Sequence, residues 1–250
     1  MYNQLMNKNI YENHYKIRYS EMDCNLLLKP SALLHLLQDT ASNNAEQLGF
    51  GYSFLADKNL AWFLLKYHME FTDFPKEVYN LNIETEPRGW SKLFAYRDFI
   101  VCNNDKILGK VASTWALIDL NTKRMANIGE ILSSNPHFNE FIRREDDLKY
   151  NKITPLQNID NEKTFETRFD DLDVNQHVNN ANYPIWAFET LDYEFRRTKK
   201  LKTLDIVFKK EVKYGASIIS EVQISENTTN HILKEATTNE DLCLIQAEWE

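Results

Sequence analysis

Asp173, Asn175 and His177 stand at alternate positions in DLDVNQHVNN, residues 171–180, and place a carboxylate, a carboxamide and an imidazole in one short stretch. In an extended segment that alternation sends all three side chains to one side, where they can converge on a small volume. An imidazole titrating near neutrality moves protons, a carboxamide donates to a developing oxyanion, and a carboxylate orients the imidazole or holds a water. The same residues also read as an Asx-type turn that caps the following helix, with His177 satisfied locally. On the stretch alone the turn is the simpler reading. Further along, LDIVFKKEVKYG carries Leu204, Ile206, Phe208 and Val212 on one face of an expected strand and Glu211 on the other, with Val207 and Lys209. Taken alone, Glu211 reads as a solvated strand residue.

The elements that must position these groups come from a chain built twice. RYSEMDCNLL, residues 18–27, is a faded copy of RFDDLDVNQH, residues 168–177: Arg18 falls on Arg168, Tyr19 on Phe169, Asp23 on Asp173 and Asn25 on Asn175. His177, however, falls on Leu27. This predicts a division of labour in which the second half carries polar chemistry and the first lines a pocket. Pro30 and Pro184 each stand near the start of a helical pattern, where a missing amide hydrogen costs little. Leu34, Leu37, Ala41, Ala45 and Leu48 then recur at helical spacing up to Gly49, a left-handed cap. Ile185, Phe188 and Leu191 to Tyr193 trace a shorter stripe in the second half.

Strands are expected elsewhere. WFLLKYHMEF, VYNLNIETE, LFAYRDFIVC and LGKVASTWALIDL follow one another in the first half, and LDIVFKKEV, ASIISEVQIS and CLIQAEW in the second, the last with Cys243, Ile245, Ala247 and Trp249 on one face. Neither half alternates strands with helices as a parallel sheet requires. The expected class is therefore α+β, each half an antiparallel sheet wrapped around a central helix. The boundaries are residues 1–125, a linker at 126–163 whose GEILSSNPHFNEFI is a candidate short helix, and 164–250.

Composition narrows the function. The chain has 250 residues with 14 Phe, 12 Tyr and 5 Trp, ample for a packed core. Its 29 Lys plus Arg against 37 Asp plus Glu give a net charge of −8, which argues against a general nucleic-acid binder and requires any acidic partner to meet a local basic patch. Cys24, Cys102 and Cys243 form neither a disulfide framework nor a paired metal-ligand pattern, and with only 6 Gly there is no phosphate loop. MYNQLMNKNIYENHYK lacks a signal-length apolar core and no stretch approaches the about 18 apolar residues of a membrane span, so a cytoplasmic protein is expected.

The stretch DLDVNQHVNNANYPIWAFE, together with Glu211 at the matching spacing from His177, resembles the acyl-acyl carrier protein thioesterases of fatty-acid synthesis, best described in plant plastids and also found in bacteria. A weaker likeness runs from about Tyr15 to Trp249. The resemblance implies two tandem hotdog domains, with Asp173, Asn175, His177 and Glu211 as the catalytic set. It departs from the family at Val212, where many plant members carry a cysteine beside the glutamate, so a cysteine nucleophile is not available there. The implied chemistry is hydrolysis. Glu211, polarised by His177, activates a water that attacks the thioester carbonyl, Asn175 stabilises the oxyanion and Asp173 holds the array.

The implied partner is acyl carrier protein, whose own phosphopantetheine arm leaves no need for a cofactor. RRTKKLK, residues 196–202, with Lys209, Lys210 and Lys213, is the expected docking patch. Leu33, Leu34, Leu37, Ala41, Trp62, Leu64 and Trp115 are candidates to line an acyl tunnel and equally ordinary core residues. A monomer suffices, since two fused domains can do what a homodimer of single ones does; a homodimer through sheet edges is the alternative. The rival functions are an acyl-CoA thioesterase with the same residues and a non-catalytic acyl-thioester binding module.

Overall fold

A computed structural model describes residues 10–77, 79–144 and 147–250. The start of the N-terminal stretch read above for a signal lies outside the described residues. In the first half β1 (Tyr11–Lys16) precedes α1 (Pro30–Gln47), α2 (Tyr52–Ala56) and the strands β2 (Leu60–Phe71), β3 (Asn80–Trp90), β4 (Ala95–Asn103), β5 (Lys106–Asp119) and β6 (Arg124–Met125). After α3 (Ile128–Leu132) the second half repeats the plan with β7 (Asn161–Glu166), α4 (Tyr183–Phe188), α5 (Tyr193–Thr198), β8 (Leu201–Phe208), β9 (Ser217–Ser225), β10 (Thr228–Glu235) and β11 (Asp241–Trp249).

One sheet holds both halves, in the order β1-β3-β4-β5-β2-β8-β11-β10-β9-β7 with β6 beside β5. Read outward from the centre, each half has the same strand order. The seam is the antiparallel pair β2 and β8, with Lys66 opposite Val207 and Glu70 opposite Thr203. Edge-to-edge joining satisfies the backbone of both central strands, which would otherwise be open edges.

Pro30 starts α1, which buries Leu33, Leu34, Leu37, Ala41 and Ala45 against the concave face and ends before Gly49 at φ +75°. The second-half helix is not a single counterpart. It breaks after Phe188, and Asp192 caps α5 by accepting from the Phe195 N–H at 2.7 Å. The stripe expected there accordingly divides. Phe188 and Leu191 are buried, whereas Ile185 and Tyr193 face outward, 38% and 67% exposed. No helix among the described residues is long and apolar enough to cross a membrane.

The segment read as a linker is tied down along its length. Phe138 stacks on Trp90, Thr114 donates to the Tyr150 hydroxyl, Asn151 donates to Asp205, and the Thr154 and Gln157 N–H groups donate to Gln246 and Gln223. The chain thus crosses from the first half to the second over the seam. Beneath it, His68 Nδ1 lies 2.7 Å from Asp205 Oδ1, both buried, so the seam carries a buried acid–imidazole pair. Burial by itself would lower the His68 pKa, but its hydrogen bonds to Asp205 and Glu70 outweigh it and the net shift is upward.

Candidate active site

Residues 171–178 do not run extended. The Asp173 N–H donates to the His177 carbonyl at 2.7 Å, the Gln176 N–H donates to the Asp173 carbonyl, and Gln176 takes φ +64°. Asp173, Asn175 and His177 are therefore presented by a tight turn and not by strand alternation. Asp173 Oδ1 organises it by accepting from the Asn175 N–H at 2.8 Å and the His177 N–H at 3.2 Å, an Asx arrangement.

The first half builds the same turn. Asp23 Oδ1 accepts from the Asn25 and Leu27 N–H groups at 2.8 and 3.0 Å, and Leu26 takes φ +60°. The shared residues of the repeat thus encode a shared backbone. What they present differs, and the neighbouring strand connection shows how. Val178 donates to the Val212 carbonyl and His177 bridges Lys213, just as Leu28 donates to the Pro75 carbonyl and Leu27 bridges Lys76. The residue before Val212 is Glu211 and the residue before Pro75 is Phe74. An imidazole and a carboxylate in the second half are thus matched by Leu27 and Phe74 in the first, both buried in the core.

Glu211 lies beyond the end of β8, not on its face as its spacing suggested. The Lys209 and Lys210 N–H groups both approach the Leu242 carbonyl, and this doubled donation turns the chain off the sheet. Val212 remains buried while the Glu211 carboxylate swings to 3.3 Å from His177 Nδ1. That distance is ion-pair contact without hydrogen-bond alignment, and His177 Nδ1 has no hydrogen-bond partner among the described residues. Burial raises the Glu211 pKa, with His177 opposing it; the nearby Asp173 carboxylate pushes further up, and Lys123 and Lys213 pull down. Asn175 sits exposed on the same turn. Its twin Asn25 reaches across the halves to donate to the Arg196 carbonyl at 3.4 Å.

The structure thus brings His177 and Glu211 together, makes Asp173 the support of the turn, and places Asn175 at its tip. Lys123 escaped the sequence reading. It belongs to the turn between β5 and β6 of the first half, and nothing in its local sequence links it to residue 211.

The direction of the seam pairing puts residues after Val207 towards the Leu60 end of β2, the end that carries Trp62. There a pocket opens between α1 and the first-half sheet, walled by Ala41, Phe50, Trp62, Trp90, Tyr96 and Trp115. Of the tunnel candidates, Ala41, Trp62 and Trp115 line it, whereas Leu33, Leu34, Leu37 and Leu64 pack in the core. Arg97 also lines it, fully buried, its Nη1 donating to Asn44 and Thr85.

The basic run does not form one patch. The extended strand β8 separates Arg196 to Lys200 from Lys209 to Lys213 by its whole length, roughly 26 Å at 3.3 Å per residue, with Lys202 near its far end. Only the second group stands at the His177 end. Lys209 and Lys210 are moreover ion-paired with Asp241 and Glu240.

Residues 8–134 match the family model of the acyl-ACP thioesterase N-terminal domain, and residues 156–250 that of the C-terminal domain. Among curated relatives, a chloroplastic oleoyl-acyl carrier protein thioesterase 2 of Arabidopsis thaliana is 24% identical over 245 residues, covering 92% of this chain and 66% of its own length. A chloroplastic palmitoyl-acyl carrier protein thioesterase of Cuphea hookeriana is 26% identical over 214 residues, covering 81% and 52%. The chain therefore spans about half to two thirds of the length of the curated relatives it matches. An acyl-ACP thioesterase structure from Bacteroides thetaiotaomicron superposes with a TM-score of 0.85 at 24% identity, over 97% of this chain and 98% of that one. The 12:0-ACP thioesterase of Umbellularia californica does so with 0.84 at 20% identity, over 99% of each. These likenesses show the fold to be the tandem hotdog arrangement. With both domain models matched in order along one chain, the protein belongs to the acyl-ACP thioesterase family.

Proposed function

We propose that the protein hydrolyses the thioester of fatty acyl-acyl carrier protein and releases free fatty acid, with Asp173, Asn175, His177 and Glu211 as its working residues. The observation that carries the reading is the His177–Glu211 contact on a turn whose twin in the same chain holds Leu27 and Phe74. One backbone is used twice, and only one use is polar.

In this scheme Glu211 takes a proton from water as the water attacks the thioester carbonyl carbon. Its raised pKa, caused first by burial, makes it a stronger base than an ordinary carboxylate. His177 stands at 3.3 Å to orient and polarise it. The carbonyl oxygen becomes an oxyanion stabilised by the Asn175 carboxamide; collapse expels the pantetheine thiolate, which recovers the proton. Asp173 acts through the backbone it holds. No step calls on a cofactor, and the absence of cysteine at Val212 is no obstacle, since water is the nucleophile.

The acyl chain enters the aromatic pocket of the first half. Its cavity of about 70 Å³ is lined by rings against which the acyl chain would pack. Lys123 and Lys213 give the site end the positive charge that an acidic carrier protein requires. The chain acts as a monomer in the cytoplasm, with the internal twin standing where a second subunit would.

The test is thiol release from octanoyl, palmitoyl and oleoyl groups offered on acyl carrier protein and separately on coenzyme A, with His177→Ala as control. Release from the carrier set that vanishes in the variant is expected. Equal or faster release from coenzyme A would make the protein an acyl-CoA thioesterase, and binding with no release from either would make it an acyl-binding module.

A further inference from the structure

The first-half turn is not idle backbone. Asp23, Cys24 and Asn25 form one lip of a cleft of about 630 Å³ whose other wall is α4 and α5 of the second half. The Asn25 donation to the Arg196 carbonyl ties the two walls. The cleft therefore stands at the turn that repeats the catalytic one.

Two properties of the lining point to a ligand class. The rim gathers cations from three elements: Lys29 ahead of α1, Lys163 on β7, and Arg196 and Arg197 on α5. Against them stand Glu189, Asp23, whose carboxylate is already engaged by two backbone N–H groups, and Glu194, which holds Arg197 at 2.7 Å. Four cations against three carboxylates leave a small local excess of positive charge in a chain of net charge −8. Glu189 is shared between Arg196 at 2.7 Å and Lys163 at 4.0 Å, an arrangement an incoming phosphate can join, since arginine presents a fork of donors. Below the rim runs an apolar strip of Met22, Pro30, Ile185, Phe188 and Leu191, in which Ile185 is exposed. A phosphate joined to a flexible chain with methyl-bearing carbons fits both features. Where His177 and Glu211 stand in the other copy, this one has Leu27 and Phe74 buried in the core.

We propose that this cleft is a second, non-hydrolytic site for the phosphate-bearing pantetheine arm of an acyl thioester. The choice of ligand rests on the hydrolase reading above; the site itself rests on the repeated turn, the cleft and its charge. Each chain then holds one arm that it cleaves and one that it keeps.

Cys24 reports on occupancy. It lines the cleft and is exposed, whereas Cys102 and Cys243 are buried. The probe is a hydrolysis-resistant alkyl thioether of coenzyme A, and the readouts are the rate of iodoacetamide labelling of Cys24 and the number of thioethers bound by equilibrium dialysis. Labelling should slow by about tenfold at ten times Kd, in the wild type and in His177→Ala alike, with two molecules bound per chain. Arg197→Glu combined with Lys163→Glu should abolish protection and leave one molecule bound, its fold checked by circular dichroism. Unchanged labelling with one thioether bound in the wild type would overturn the site. Equal protection by palmitate, which has no arm, would overturn the ligand. Thiol release from acyl carrier protein is measured in parallel. Protection without hydrolysis would sink the hydrolase reading alone, and hydrolysis without protection would sink the second site alone.

Discussion

Replacing Asp173 and its twin Asp23 by alanine, one at a time, separates support from chemistry inside one molecule. Each carboxylate accepts two backbone N–H groups at closely similar distances, 2.8 and 3.2 Å for Asp173 against 2.8 and 3.0 Å for Asp23. A hydrogen bond to a charged acceptor contributes about 1.5–3 kcal/mol when shielded, and these turns are partly open to water, so roughly 2 kcal/mol per turn is expected. For a chain of this size that lowers Tm by about 4–8 °C, equally in both variants. Their effects on turnover should differ. Loss of Asp173 frees the backbone at His177 and lets the imidazole drift from Glu211, and a displacement of about 1 Å costs on the order of 100-fold in kcat. Loss of Asp23 perturbs a turn that carries Leu27 and should leave kcat within about twofold of the wild type, inside the ordinary scatter of surface substitutions. Thermal unfolding and thiol release from palmitoyl-acyl carrier protein measure both quantities. Equal losses of kcat in the two variants would refute the assignment of chemistry to one copy, and an Asp173→Ala variant with lowered Tm and full turnover would show that the turn does not position His177.

Other perturbations test separate parts. Glu211→Gln should lower kcat by about 10² to 10⁴-fold with Tm unchanged. In the proposed scheme the basic form of Glu211 is the active one, and burial raises its pKa, so kcat/KM in the wild type should climb with pH through a limb above 4.5, and Lys123→Gln, which removes a cation that pulls the value down, should move that limb higher; a limb at or below 4.5 would contradict both. At the seam, the His68 pKa lies above its ordinary 6.5, so its contribution to stability is fully present below pH 6.5 and is lost as pH rises through the folded-state value. Denaturant midpoints between about pH 5 and 9 should show this fall in the wild type and a flatter profile in His68→Gln. Trp62→Ala enlarges the aromatic pocket and should shift preference towards longer acyl chains in competition assays, whereas a purely structural Trp62 would lower Tm without changing the ranking.

Much of the fold was legible because it obeys local rules. Pro30, the apolar stripe of α1 and Gly49 mark a helix by spacing and chain stereochemistry, and the alternation of β9 and β11 declares a half-buried sheet. The two-residue β6 and the strands β1, β7 and β10 escaped. β1 and β7 are short, polar strands on the two outer edges, and YENHYK and NEKTFE bury too little to leave a pattern. β10, TTNHILKE, buries Thr229, Asn230 and His231, so its inward side reads as polar in sequence although it lies inside the fold. The break between α4 and α5 was hidden because a stripe continuing through Leu191 to Tyr193 looks the same whether the helix runs on or restarts at Asp192.

By itself the sequence determined that the chain is a repeat, that each copy carries the Asp-x-Asn turn, and that only one copy has His177. Those are properties of residue identity and order, and the turn closes through hydrogen bonds spanning four residues. The resemblance already pairs Glu211 with His177; the tertiary structure alone decided how the carboxylate gets there, through the doubled approach to Leu242 that throws residue 211 off the end of β8. It alone set Phe74 opposite Leu27, and it alone put Lys123 of the first half near the second-half dyad, through strand register across a seam. Contacts of this kind join residues far apart in the chain, and their geometry follows from how the sheet pairs and where each strand stops, which no spacing in the sequence records.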